Sequence, residues 1–170
     1  LLIITIVSTL LITAQQLKDY GQSLIATVSF TSNIYFLLKA DYWAQSSEFL
    51  PLLHTWSLAI EEQYYVVFPI MLSFIWRYGQ SKTFWIIVGM SLTSLILSEW
   101  GSRNLPLINF YFSLTRVWEL LFGSIAALLV YRKSIRKNDP LAFLGLSLIL
   151  FPIFVYDDLT PFPSFYSLAP

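Results

Sequence analysis

Cysteine is absent from the 170 residues, histidine occurs once, and charged residues make up 12% where a soluble domain carries roughly 25%. Without cysteine there is no disulfide scaffold, thiolate zinc site or cysteine nucleophile. With His54 as the single histidine, a multi-histidine metal site is excluded too, and no metal is expected. Ten Lys and Arg balance ten Asp and Glu, which leaves no basic excess to neutralise phosphates, so no nucleic-acid partner is expected. What remains is apolar: 56% of the residues are hydrophobic, which argues against an ordinary soluble globule and for a lipid bilayer as partner.

Uncharged stretches cover residues 1–17, 20–38, 63–76, 83–98 and 140–156. Each approaches the roughly 20 residues that cross about 30 Å of hydrocarbon as a helix. A sixth segment, 109–131, is long enough but carries Arg116 and Glu119. The expected fold is all-α, a polytopic membrane helical bundle of about six transmembrane helices forming a single membrane domain over 1–170. The chain starts at Leu1 inside an apolar run and stops at Pro170, so it reads as a fragment with its first and last helices clipped. Residues 1–13 lack the basic start and small-residue cleavage site of a signal peptide. The late Thr160-Pro161-Phe162-Pro163 reads as an external turn.

Orientation follows the cations. The loop 77–82 holds Arg77 and Lys82 without an acid, and 132–137 holds Arg132, Lys133, Arg136 and Lys137. Both are expected on the cytoplasmic side, along with Lys18 and Asp19. The connections 39–51 around Asp41 and Glu48, 99–106, and Asp157-Asp158 onward are neutral or acidic and expected outside. Trp43, Trp56 and Trp100 then anchor the outer interface, and Trp76, Trp85 and Tyr131 the inner one.

Polarity inside a bilayer is costly, about 2.5 to 3.5 kcal/mol per ionisable group at mid-span. Arg116 and Glu119, three apart, can pair on one helix face and lower that cost. Two readings stand side by side: a structural ion pair facing the bundle, or a pair lining a polar cavity where Arg116 can hold a phosphate or a developing oxyanion. Nearby, Gly123, Ala126 and Ala127 form a small-residue patch suited to close helix packing.

The second costly place is residues 51–65. Pro51 suits a first helical turn, and the apolar run to Trp76 continues the helix. On one continuous helix, His54, Glu61 and Tyr65 share a face, with Ser57 about 60° and Glu62 about 80° away from it, although His54 and Glu61 stand about 10 Å apart along the axis. They are therefore not a dyad by themselves. Pro69 cannot donate a backbone bond and frees the carbonyl of Tyr65, so a kink there is expected. Each polar group also has a plainer reading, with His54 as an interfacial hydrogen-bonding residue, Glu61 and Glu62 as solvated ends, and Trp56, Tyr64 and Tyr65 as anchors. One His, two Glu, one Gln and one Ser within residues 54–63 make a density that points beyond that.

Pro51-Leu52-Leu53-His54-Thr55-Trp56-Ser57-Leu58, then Glu61-Glu62-Gln63-Tyr64-Tyr65 and Pro69, resembles the hallmark of the acyltransferase-3 family. Further likenesses fall in the same order: Ser32-Asn33, Phe110-Tyr111, Thr115-Arg116-Val117-Trp118-Glu119-Leu120 with Gly123, and Pro161-Phe162-Pro163 with Leu168 and Pro170. The resemblance spans most of the chain. It implies a membrane O-acyltransferase of the inner membrane, moving an acyl group, typically acetyl, from cytoplasmic acyl-CoA to a hydroxyl of a surface glycan such as lipopolysaccharide O-antigen. His54, Trp56, Ser57, Glu61, Glu62, Gln63 and Tyr65 then belong to an outer-side motif, and Arg116, Trp118 and Glu119 to a later one. His54 and Glu61 are expected to position the acceptor or handle its proton, and Arg116 with Glu119 to organise the cavity. Trp56, Ser57, Glu62, Gln63, Tyr65 and Trp118 are expected to face substrate.

The family's essential histidine, in the first membrane helix, and the arginine motif thought to meet the donor have no counterpart here. The fragment is therefore expected to be inactive alone and to depend on the missing amino-terminal helices; some relatives also carry a carboxy-terminal soluble domain. The competing readings are a proton- or ion-coupled transporter using Glu61, Glu62 and Glu119, and a structural scaffold.

Overall fold

A computed structural model of the chain describes residue 5 and residues 14–43, 51–132, 139–157 and 160–169, with only the backbone considered at 14, 15, 41–43 and 132. The expectations on residues 1–4 and 6–13, on Glu48, on Lys133, Arg136 and Lys137, on Asp158 and on Pro170 lie outside the described residues. So do those on the side chains of Asp41, Trp43 and Arg132. The described residues are helical without a strand, an all-α membrane bundle. In order they form α1 (Ala14–Val28), α2 (Ser32–Trp43), α3 (Thr55–Trp76), α4 (Gln80–Asn104), α5 (Pro106–Tyr111), α6 (Ser113–Arg132), α7 (Asp139–Val155) and a 3₁₀ turn, Phe165–Leu168. Three helices, α3, α4 and Ser113–Tyr131 of α6, are long and apolar enough to cross a membrane, and α7 is a shorter apolar helix of 17 residues. Contacts cluster in two compact units, Leu1–Val67 and Phe68–Pro170, described here in turn.

In the amino-terminal unit, the stretch 20–38 does not cross as one helix. It folds back at Ser29–Thr31, where Thr31 N–H donates to the Ala26 carbonyl (2.8 Å) and Phe30 N–H to Thr27 (3.2 Å). These are the paired bonds of a Schellman close, with Phe30 at φ 56° where glycine is usual. The hairpin brings Lys39 Nζ to 2.8 Å from Asp19 Oδ1 and 3.1 Å from Gln22 Oε1. The Asp19 carboxylate, accepting this bond, holds the Lys39 ammonium above its ordinary pKa. The raised value keeps the pair's contribution intact at neutral pH and releases it only as pH climbs through it.

The expected alternation, with Lys18-Asp19 on one side and the segment from Lys39 on the other, is thereby corrected: Asp19 and Lys39 share one depth. Spin labels at Lys18→Cys and Ala40→Cys, clean probes in a cysteine-free chain, are expected to sit near the roughly 10 Å spacing of packed helices plus label length. A separation near the roughly 33 Å of an unbroken helix would overturn the hairpin.

In α3, the first turn shifts from its expected place. Pro51–His54 form a turn, and the helix starts at Thr55, whose N–H (3.0 Å) and Oγ1 (2.7 Å) both donate to the Leu52 carbonyl. From there 22 residues run through Pro69, a rise of about 33 Å.

In the carboxy-terminal unit, α4 and α6 pack antiparallel. The buried face of α4 is Thr83, Ile87, Ser91, Ser94, Leu95, Ser98 and Gly101, mostly small residues that let backbones approach. Ser94 Oγ donates to the Leu114 carbonyl and accepts the Trp118 N–H (3.2 Å). The expected helix over 109–131 is broken at Phe112, which is extended. The Thr115 hydroxyl lies 2.7 Å from the Asn109 carbonyl and 2.8 Å from that of Phe112, so its proton bridges the break. Among the described residues the expected close-packing patch meets no neighbouring helix. Gly123, Ala126 and Ala127 are exposed, and a Cβ on Gly123 would meet no atom within 4 Å. Close approach occurs instead at Gly101.

Residues 160–169 fold back onto the Glu99 end of α4, far along the helix from Arg77 and Lys82. Within this unit, then, the 99–106 connection and the Pro-rich segment share an end, as the loop charges suggest. The 17 residues of α7 include no buried one.

Candidate functional site

The hallmark segment is held from beneath by hydroxyl groups. Ser32 Oγ donates to the Thr55 carbonyl (2.8 Å), and Thr55 Oγ1 lies 3.0 Å from Thr27 Oγ1, which reaches the Ser23 carbonyl at 2.8 Å. Two hydroxyl protons thus serve three contacts in a place where water is scarce. Gln63 spends both amide protons on the hairpin turn, donating to the Phe30 carbonyl (2.7 Å) and Asn33 Oδ1 (3.0 Å). Ser32-Asn33 and residues 51–65 therefore form one assembly.

Above that base, His54 is exposed and lies in the turn rather than on α3, its carbonyl accepting from Ser57 Oγ (3.2 Å). Ser57 is exposed, and Trp56, Glu61 and Glu62 are half-buried on α3. Tyr65 is exposed, its ring edge-to-face with Tyr64 at 6.3 Å. Among the described residues His54, Glu61 and Glu62 make no ion pair, and no three His, Asp or Glu gather as a metal site. His54 and Glu61 are not bonded to each other, in line with their axial separation. The shared face is kept by Glu61 and Tyr65, four apart on α3.

The second motif is built on α6. Arg116 is 7% exposed and meets Glu119 through Nη1 at 3.3 Å, the pair that the spacing of three allows. Its Nε donates to the Phe110 carbonyl (3.3 Å). The guanidinium carbon stands 5.0 Å from the Phe110 ring centroid and 4.5 Å from that of Phe162. Aromatic faces and a carboxylate thus offset the cost of a cation inside a span. Glu119 is more open, with 39% of its side chain exposed. Trp118 is buried, edge-to-face with Phe122 at 5.5 Å, and its indole N–H has no hydrogen-bond partner among the described residues. A cavity of about 180 Å³ opens beside this motif, lined by Leu97, Trp100, Gly101, Leu105, Asn109 and Thr115 among others.

Asn109 joins these parts. Fully buried, it donates through Nδ2 to the Pro163 carbonyl (2.9 Å), packs on Gly101 and accepts from Thr115 at its own carbonyl. Asn109 and Gly101 lie outside the motifs of the sequence, and Thr55 enters only as one member of the hallmark. For Gly101 and the residue packed on it, the signal is the run of small residues Ser91, Ser94, Ser98 and Gly101 at helical spacing, which marks a helix interface.

No family model matches the chain, and no solved structure matches it. A Staphylococcus aureus (strain COL) protein named "Putative O-acetyltransferase SACOL0978" is 33% identical over 148 residues, covering 82% of this chain and 24% of that protein. "O-acetyltransferase OatA" of S. aureus (strain NCTC 8325 / PS 47) is 26% identical over 172 residues, covering 93% and 28%. A Haemophilus influenzae (strain ATCC 51907 / DSM 11121 / KW20 / Rd) "Uncharacterized protein" is 35% identical over 109 residues, covering 59% and 44%. The chain spans about a quarter of the length of the first of these relatives. It is a membrane-helical chain similar, over most of its own length, to part of proteins that carry the name O-acetyltransferase.

Proposed function

We propose that this chain is part of a membrane O-acyltransferase of the acyltransferase-3 type, transferring an acetyl group from acetyl-CoA to a hydroxyl of a surface glycan such as lipopolysaccharide O-antigen. The observation that carries the reading is the 33% identity over 148 residues to a protein named for O-acetyl transfer. Arg116 adds a chemical argument, since a buried, geometrically fixed guanidinium is the kind of group that stabilises a tetrahedral oxyanion. In the reaction the acceptor oxygen attacks the thioester carbonyl, the new C–O bond forms, the C–S bond breaks, and the hydroxyl proton passes through a base to the departing thiolate. His54 and Glu61 position the acceptor or carry that proton. In the amino-terminal unit Trp56, Ser57, Glu62, Gln63 and Tyr65 bind substrate, and in the carboxy-terminal unit Trp118 does.

The enzyme sits in the inner membrane with the His54 motif outward. It needs helices beyond this chain to act, and the histidine of the first membrane helix and the arginine motif that meets the donor belong to them. Mass spectrometry of surface glycans tests this with the intact enzyme, its His54→Ala and Glu61→Gln variants, and this chain alone. Acetylation is expected only with the intact wild type, and each variant is expected to lose at least tenfold with normal membrane insertion. Wild-type acetylation by both variants would remove His54 and Glu61 from the mechanism, and no acetyl mark from the intact enzyme would remove the reading.

A further inference from the structure

The backbone on the carboxyl side of Phe162 is pinned far more firmly than its ring. The Pro163 carbonyl accepts from Ser98 Oγ (3.2 Å) and Asn109 Nδ2 (2.9 Å), both from fully buried side chains. The Phe165 N–H donates to Glu99 Oε2 (3.0 Å), and Ser164 Oγ closes on the Pro161 carbonyl (2.6 Å). Yet Phe162 is 53% exposed and so adds little to the core. What it does touch is the Arg116 guanidinium, at 4.5 Å. Polar fastenings this deep would be an odd way to hold a half-open phenyl ring, unless the placement of the ring itself matters.

We propose that residues 161–165 form a clip whose purpose is to set Phe162 on Arg116, making Phe162 a positioning residue and Asn109 and Ser98 its anchors. The proposal rests on the role given to Arg116 above. The Phe110 carbonyl and Glu119 hold two nitrogens of the guanidinium. The Phe162 ring adds the contact that defines its plane, so the edge offered to a ligand keeps one direction. Removing a cation–π contact of this kind costs roughly two- to thirtyfold when expressed as a rate.

In the intact enzyme, Phe162→Leu is expected to lower kcat about fivefold with the KM for acetyl-CoA unchanged, and Phe162→Trp to restore it. Because the ring is half-open, both variants are expected to fold. A second readout needs no activity: modification of Arg116 by phenylglyoxal, followed by peptide mass spectrometry, is expected to accelerate several-fold in Phe162→Leu and not in Phe162→Trp. Wild-type kcat and modification rate in Phe162→Leu would overturn the clip, as would an equal loss in both variants accompanied by less folded protein. If Arg116→Ala keeps full activity, the catalytic reading fails and the modification rates alone decide the clip.

Discussion

Arg116→Ala is expected to lower acetyl transfer by the intact enzyme about 10²- to 10³-fold, the usual cost of removing one preorganised donor from an oxyanion site. The size of the effect follows from what fixes the group. Its partners are a carboxylate on the same helix, a carbonyl of α5 and two aromatic rings, one from each side of a long sequence gap. Nothing has to reorganise when charge develops in front of it. Arg116→Lys keeps the charge but loses the planar fork, and an ammonium on a flexible stem cannot hold the Phe110 carbonyl while lying on two rings. It is expected to recover only a small part of the loss. Glu119→Gln keeps the shape and is expected to cost about tenfold, through weaker orientation of the guanidinium. Initial rates in proteoliposomes, normalised to folded protein, measure all three. An Arg116→Ala rate within twofold of wild type would mean that the pair is structural.

The second large effect concerns stability. Gly101→Val is expected to destabilise the carboxy-terminal unit by at least about 1–3 kcal/mol, the range for overpacking a filled site. A Cβ at Gly101 would stand 2.6 Å from Asn109 Oδ1, 2.9 Å from Cγ and 3.1 Å from Cβ. Asn109 cannot retreat, since its amide is tied to the Pro163 carbonyl at 2.9 Å and the side chain is fully buried. The valine therefore either strains α4 or expels Asn109 and loosens the Pro163 segment. Gly89→Ala and Gly123→Ala are the controls, because an added Cβ meets nothing within 4 Å at either. Both are expected to be neutral or to gain up to about 1 kcal/mol from the stiffer helix. Thermal unfolding in detergent separates the two classes, and wild-type melting of Gly101→Val would contradict the close approach.

Much of the fold was written in the hydropathy of the chain. Spans α3, α4 and α6 follow from long apolar runs, and the Arg116–Glu119 pair follows from a spacing of three. The α1–α2 hairpin was not legible, for a physical reason: Ser29-Phe30-Thr31 contains neither glycine nor proline. The left-handed Phe30 is held by Gln63, 33 residues away, and no local pattern reports a bond made at that distance. The break at Phe112 is similar, since the hydroxyl that bridges it belongs to Thr115. Of the site, the two motifs could be read from residue types that are expensive in a membrane. Their supports could not, because Thr55, Ser98 and Asn109 are cheap residues whose importance comes only from which carbonyl each one meets.

The fastening of Pro163 also bears on how the protein is made. Ser98 and its partner are separated by 65 residues, about 3 to 13 s of synthesis at typical elongation rates. Late in that interval α4 and α6 can already be inserted and pairing, while Ser98, Glu99 and Asn109 have yet to receive the backbone they hold. A stretch of chain made well after Arg116 thus completes that arginine's surroundings. Quality control in the membrane would meet α4 and α6 paired around a cation only partly dressed, and a nascent chain stalled before residue 160 would stay in that state.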